Sequence, residues 1–315
     1  MRGEVTRWAT VTPMSESGRP GAPERDRCTT SDGLGIEVYD FGGDGTRDLL
    51  MVHATGFCAE VMTPLARALS DRYHCWGIDL RAHGRSDRPA DGNFEWSGFA
   101  RDVRAGVDHL GLERPDGFGH SCGGASLLLA EQAVPGTFGS LYCFEPVIFP
   151  GTPEAGVIED NPLSAGARRR RDTFPSAELA FTNFSSKPPF DALDPEALRG
   201  YVEGGFELIP ADAGGDGLSV RLRCRREDEA AIYANGFGHD AFDHLPEVAC
   251  PVTLACGAET DSFGPTFLEL DAARLPHPHI EILPGLGHFG PLEAPGPVAE
   301  SVRRTLVTGP GTPPS

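Results

Sequence analysis

Ser121, His288 and an acidic residue, with Asp261 the first choice, could together perform nucleophilic chemistry in this 315-residue chain. Gly119-His120-Ser121-Cys122-Gly123 follows the pattern G-x-S-x-G. In that pattern a strand turns sharply into a helix, and the residues flanking the serine must be small. Gly117-Phe118-Gly119 reads as the strand before the turn, and Gly124 to Ala130 as the helix after it. A serine hydroxyl is a weak nucleophile and needs a base to take its proton. His288, in Gly287-His288-Phe289-Gly290, follows the last apolar run. A loop at the carboxyl end of a strand can reach a serine on the same edge of the sheet. The base needs a carboxylate that fixes its tautomer and stabilises its charged form. Besides Asp261 in Gly257-Ala258-Glu259-Thr260-Asp261, two alternatives stand open: Glu259 on the same loop and Glu145 at the end of an earlier strand.

Attack on a carbonyl creates an oxyanion that backbone N–H groups must hold. The N–H of Cys122, next to the serine, is one expected donor. The second is expected from His53-Ala54-Thr55-Gly56-Phe57-Cys58, where Gly56 admits close approach of the backbone, and it is assigned to Phe57. His53 reads as a residue that orders this loop through hydrogen bonds. The order serine, acid, histidine differs from that of the two large serine-protease families.

These residues need a scaffold, and the chain supplies one in short apolar runs alternating with helical patterns. The runs are Gly35 to Phe41, Leu49 to His53, Tyr73 to Asp79, Gly117 to Gly119, Ser140 to Glu145, Val252 to Cys256 and Ile280 to Leu283. Near-continuous apolar strands alternating with helices predict an α/β fold with a mostly parallel central sheet, covered by helices on both faces. Phe99, Val103, Val107 and Leu110 have helical spacing, with Ser97 as the expected N-cap and Gly111 as the stop. The alternation breaks over 147–245, which offers few clean strands and reads as a mainly helical insertion. The expected organisation is a tail over 1–26, a core over 27–146 and 246–308, and a Gly/Pro-rich tail over 309–315.

Composition narrows the classes. A net charge of −19 argues against nucleic acid and anionic membranes as partners. No run reaches the roughly 18 apolar residues of a membrane helix, and residues 1–26 lack the apolar core of a secretion signal. The eight cysteines contain no CxxC pair and read as buried free thiols, the pattern of a cytoplasmic protein. No HExxH or Cys/His cluster suggests a metal site, and no dinucleotide fingerprint occurs. The chemistry requires no cofactor. The run Arg168 to Arg171 reads as a solvated face, with capture of an anionic group as the alternative. The expected partner is a small ester-like molecule, and a homo-oligomer is compatible with the sequence.

Four segments make the chain similar to the α/β-hydrolase family from about Thr30 to Leu306. They are His53-Ala54-Thr55-Gly56-Phe57, Asp79-Leu80-Arg81-Ala82-His83-Gly84-Arg85-Ser86, Gly119-His120-Ser121-Cys122-Gly123-Gly124, and Gly287-His288-Phe289-Gly290-Pro291-Leu292-Glu293. Three departures stand out. Ala82 replaces a glycine, the first segment is not the commoner H-G-x-P, and one extra residue separates Gly257 from Asp261. The resemblance implies that 147–245 is a helical cap roofing the pocket. It also implies hydrolysis of a small-to-medium carboxylic ester through an acyl-enzyme. Thioester, lactone and carbon–carbon bond hydrolysis use the same triad. Related epoxide hydrolases and haloalkane dehalogenases carry aspartate at the elbow, which Ser121 disfavours. A ligand-binding protein on the same fold is the alternative from another class, and loss of a triad member would have favoured it.

Overall fold

The computed structural model describes residues 22–151, 158, 161–210 and 217–306. The first half of the chain runs β1 (Glu24–Thr29), β2 (Gly35–Gly42), β3 (Arg47–Val52), α1 (Thr63–Leu69), β4 (Tyr73–Ile78), α2 (Trp96–His109), β5 (Asp116–His120), α3 (Cys122–Ala133) and β6 (Leu141–Phe144). An inserted stretch follows, with α4 (Pro162–Arg169), β7 (Thr173–Phe174), α5 (Ala177–Phe184), α6 (Pro195–Gly205), β8 (Phe206–Pro210), β9 (Leu218–Leu222) and α7 (Arg226–Ala234). The chain then returns through β10 (Val252–Gly257), α8 (Pro265–Ala272), β11 (Pro278–Leu283), α9 (Gly290–Glu293) and α10 (Pro295–Thr305).

Eight strands form one sheet in the order β1-β2-β4-β3-β5-β6-β10-β11. The pairs β1–β2 and β2–β4 are antiparallel, and every pairing from β4 to β11 is parallel. Successive residues of a strand point to opposite faces, so β3 feeds two cores. Leu49 and Met51 join Leu65, Leu69, Val298 and Val302 from α1 and α10. Leu50 and Val52 join Phe99, Val103, Leu127 and Leu128 from α2 and α3. Burial on both faces is why the inner parallel strands read as largely apolar runs, while the edge strand β11 has one buried residue.

Three expectations need adjustment. The stretch 1–26 was expected to be a tail, but β1 begins at Glu24 and pairs with β2 from Glu24↔Asp40 onward. Only Cys28 of β1 is buried, so this edge strand has no apolar run to announce it. Residues 1–21 and 309–315 lie outside the described residues. The insertion is also less helical than expected, because β7, β9 and β8 form a three-stranded antiparallel sheet. These strands are short and half exposed. At α2, Ser97 sits inside the first turn and Glu95 takes the cap position. Gly111, at φ 64°, follows the last turn as the sequence suggested.

Candidate active site

Ser121 joins β5 to α3 with φ 54° and ψ −115°, and is 7% exposed. Such a conformation costs a non-glycine residue about 1–3 kcal/mol, and surrounding contacts must hold it. They do: the Ser121 N–H donates to the Phe144 carbonyl at 2.8 Å, and its own carbonyl accepts from Val147 and Ala125. The flanking glycines follow from packing. A Cβ on Gly119 would stand 2.5 Å from the Gly124 nitrogen, and one on Gly123 would strike the Val52 carbonyl.

His288 lies on the loop between β11 and α9. The His120 Nε2–H donates to the His288 carbonyl at 2.9 Å, tying that loop to the elbow. His288 Nδ1 lies 2.7 Å from Oε2 of Glu145. The carboxylate can only accept, so Nδ1 carries a proton, and in the neutral ring Nε2 keeps its lone pair. Glu145 is fully buried one residue beyond β6, at φ 46°. Its Oε1 accepts from the Gly257 N–H at 3.1 Å and its Oε2 from the Thr260 hydroxyl at 2.8 Å.

The structure therefore brings Glu145, and not Asp261, to His288. Asp261 and Glu259 are both exposed. The loop after β10 turns at Thr260, whose N–H donates to the Gly257 carbonyl. The loop contributes the Thr260 hydroxyl, and the last residue of β10 contributes the Gly257 amide; together they hold the Glu145 carboxylate. Thr260 carried no signal in the sequence, whereas Glu145 was legible as a strand-end acid.

Of the two amides expected to hold an oxyanion, that of Phe57 has an acceptor within its own loop. The Phe57 N–H donates to the Ala54 carbonyl at 3.2 Å, closing a turn, so it is already engaged. The Gly56 N–H donates to His83 Nε2 at 3.0 Å. Among the described residues, no acceptor is recorded for the N–H groups of Thr55 and Cys122. The Thr55 side chain lies close enough to the Cys122 thiol to act on it, so the two residues are neighbours. The Phe57 ring instead packs against Phe190, Tyr201 and Phe289 at 5.4–5.7 Å, an aromatic wall beside the loop.

Two buried histidines fix that loop. His53 Nδ1 donates to the Ala54 carbonyl and its Nε2 accepts from the Leu80 N–H. His83 Nδ1 donates to the Arg81 carbonyl while its Nε2 holds Gly56. Burial pushes their pKa values down, to about 4 for His53 and about 3 for His83. Both are thus neutral, donating from one nitrogen and accepting at the other. His53 orders the loop as its position suggested; His83 was missed as its partner. Asp79 completes the support, accepting from the Ala59 and Arg85 N–H groups and the Tyr39 hydroxyl. All eight cysteines are free and buried, and burial pushes the Cys122 thiol up to about 12.

A half-buried imidazole paired to a buried carboxylate, a serine on a strained elbow and two unengaged amides can together remove a proton, attack a carbonyl and hold the resulting charge. Residues 49–301 match the profile of the alpha/beta hydrolase family, and the chain belongs to that family. It is 24% identical over 243 residues to 2-(acetamidomethylene)succinate hydrolase of Mesorhizobium japonicum (strain LMG 29417 / CECT 9101 / MAFF 303099), spanning 76% of this chain and 81% of that protein. A crystal structure of E-2-(acetamidomethylene)succinate hydrolase superimposes with a TM-score of 0.74 and 21% identity, covering 90% of this chain and 99% of the other. A thermophilic esterase from Thermogutta terrifontis superimposes with a TM-score of 0.65 and 22% identity, covering 89% and 97%. At these identities the structural likenesses carry the fold. No helix among the described residues is long and apolar enough to cross a membrane.

Proposed function

We propose that this protein is a serine hydrolase that cleaves a small-to-medium carboxylic ester through an acyl-enzyme. Ser121 is the nucleophile, His288 the general base, and Glu145 the acid that orients His288. The amides of Cys122 and Thr55 are the oxyanion donors. The hydrogen bond from His288 Nδ1 to the buried Glu145 carboxylate carries this reading. It leaves Nε2 as the only ring nitrogen able to take a proton from Ser121. Transfer of that proton to Nε2 frees the serine oxygen to bond to the substrate carbonyl carbon. The imidazolium then protonates the leaving alcohol as the carbon–oxygen bond breaks. A water activated by the same nitrogen attacks the acyl-enzyme and returns Ser121 to its resting state. The insertion over 147–245 acts as the cap over this site.

A second reading is hydrolysis of an amide-type acyl bond on a small organic acid. The sequence match to 2-(acetamidomethylene)succinate hydrolase over 76% of this chain favours it. The same residues would serve, with His288 protonating a leaving nitrogen.

A chain-length panel of p-nitrophenyl esters and a matching panel of N-acyl amides, with wild type and Ser121→Ala, tests both readings. Turnover on esters is expected to fall by about 10⁴–10⁶ in the variant, with the circular dichroism of the fold retained. Amide turnover without ester turnover would favour the second reading. Undiminished turnover by a folded Ser121→Ala would contradict both.

A further inference from the structure

The insertion meets the oxyanion loop through a charged pair outside the proposed triad. Within the run Arg168 to Arg171, Arg168 reaches the exposed Glu227, and Arg171 lies over the Phe174 ring. Arg170 turns inward, with its side chain 18% exposed. Its Nη1 donates to Oε2 of Glu229, on α7, at 2.5 Å, and its Nη2 donates to the Tyr201 hydroxyl at 2.8 Å. The Glu229 side chain is 6% exposed. Its other oxygen, Oε1, stands directly over Gly56: a Cβ there would lie 2.7 Å from Oε1 and 3.4 Å from Arg170 Nη1. Gly56, at φ 81°, is thus held by His83 through its N–H and covered by the ion pair at its Cα. The next residue back is Thr55.

Building on the proposed hydrolase reading, we propose that Arg170 and Glu229 are positioning residues for the reaction at Ser121. The pair seats the insertion on the oxyanion loop at Gly56, and Arg170 cancels the negative field that Glu229 would otherwise impose beside the developing oxyanion. A carboxylate one residue from an oxyanion donor opposes charge formation there, and exclusion of water strengthens the effect. The paired guanidinium lets an acidic anchor occupy this place without that penalty. Gly56 is required twice, by its positive φ and by the carboxylate resting on it.

The test is the rate at which a fluorophosphonate labels Ser121, together with kcat, KM and melting temperature on a p-nitrophenyl ester. Arg170→Gln is expected to slow labelling and lower kcat by about tenfold or more, with KM moved less than about threefold. Arg170→Gln with Glu229→Gln removes both charges and is expected to recover most of that loss. Arg170→Lys, which keeps the charge, is expected to fall between Arg170→Gln and wild type. A purely structural pair would lower the melting temperature of each variant and leave the labelling rate of the folded protein unchanged. That result overturns the proposal, as does a double variant that labels as slowly as Arg170→Gln. Should Arg170→Gln fail to fold, the neutral double variant takes its place. It is expected to label about two- to threefold below wild type, and a folded double variant at the wild-type rate overturns the seating role. Wild type that does not label would remove the Ser121 reading itself, a different failure from wild type and Arg170→Gln labelling equally.

Discussion

The reach of a glutamate decides the geometry at His288. Glu145 begins one residue beyond β6 and must span the top of the neighbouring strand to meet Nδ1 at 2.7 Å. Gly257 and Thr260, both from the β10 side, hold the carboxylate at the end of that reach. Glu145→Asp withdraws it by one methylene, so kcat is expected to drop by about tenfold or more, checked by steady-state kinetics on an ester. The sequence made the acid hard to assign because the loop after β10 offers Glu259 and Asp261 where the family pattern places one. What distinguishes Glu145 is burial and the donors around it, and neither is visible in residue order. The sharp turn at Ser121 was legible because its neighbours are constrained by packing: the close backbone approach at 119 and 123 leaves no room for a Cβ.

At the scale of elements, the loop after β4 carries a residue at odds with its backbone. Ala82 holds φ 62° at the position where the family pattern has glycine. A left-handed conformation costs an L-residue roughly 1–2 kcal/mol, offset in part by the greater unfolded freedom of glycine. Ala82→Gly is therefore expected to stabilise the fold by about 0.5–1 kcal/mol, measured by the shift of the urea midpoint. The strands from β3 to β6, with β10, were legible because burial on both faces writes a largely apolar run; the edge strand β11, with one buried residue, showed only from Ile280 to Leu283. Strand β1 was not, since one side of it meets solvent and five of its six residues are exposed. The small sheet β7-β9-β8 was hidden by its brevity, with β7 only two residues long. The engagement of the Phe57 amide was hidden for a related reason. Gly56 marked the loop correctly, but the sequence does not reveal that the Phe57 amide is taken by Ala54 and that of Gly56 by His83.

Across the whole molecule, two apolar cores flank the sheet and the same core that holds α1 and α10 continues into the insertion through Phe174, Phe184, Tyr201 and Phe206. One buried group works against this packing. Asp271 on α8 is 2% exposed, its Oδ1 has no hydrogen-bond partner among the described residues, and burial pushes its pKa up to about 8. The folded state therefore binds a proton that the unfolded chain releases near its ordinary value of 3.8. Its contribution is fully present below that value and is lost as pH rises toward about 8. Asp271→Asn is expected to match wild type near pH 4 and to exceed it by about 1–3 kcal/mol at pH 8. Urea midpoints at pH 4, 6 and 8 read this directly, and a constant gap would contradict it.

Which carboxylate serves His288 is decided by one comparison of variants. Glu145→Gln and Asp261→Asn are each assayed for ester turnover and for fluorophosphonate labelling of Ser121, with folding checked by circular dichroism. An amide in place of the acid fixes the wrong tautomer and costs about 10³–10⁴ in kcat. That loss is expected for Glu145→Gln, with Asp261→Asn within about twofold of wild type. A collapse of activity in Asp261→Asn while folded Glu145→Gln turns over normally would contradict the account.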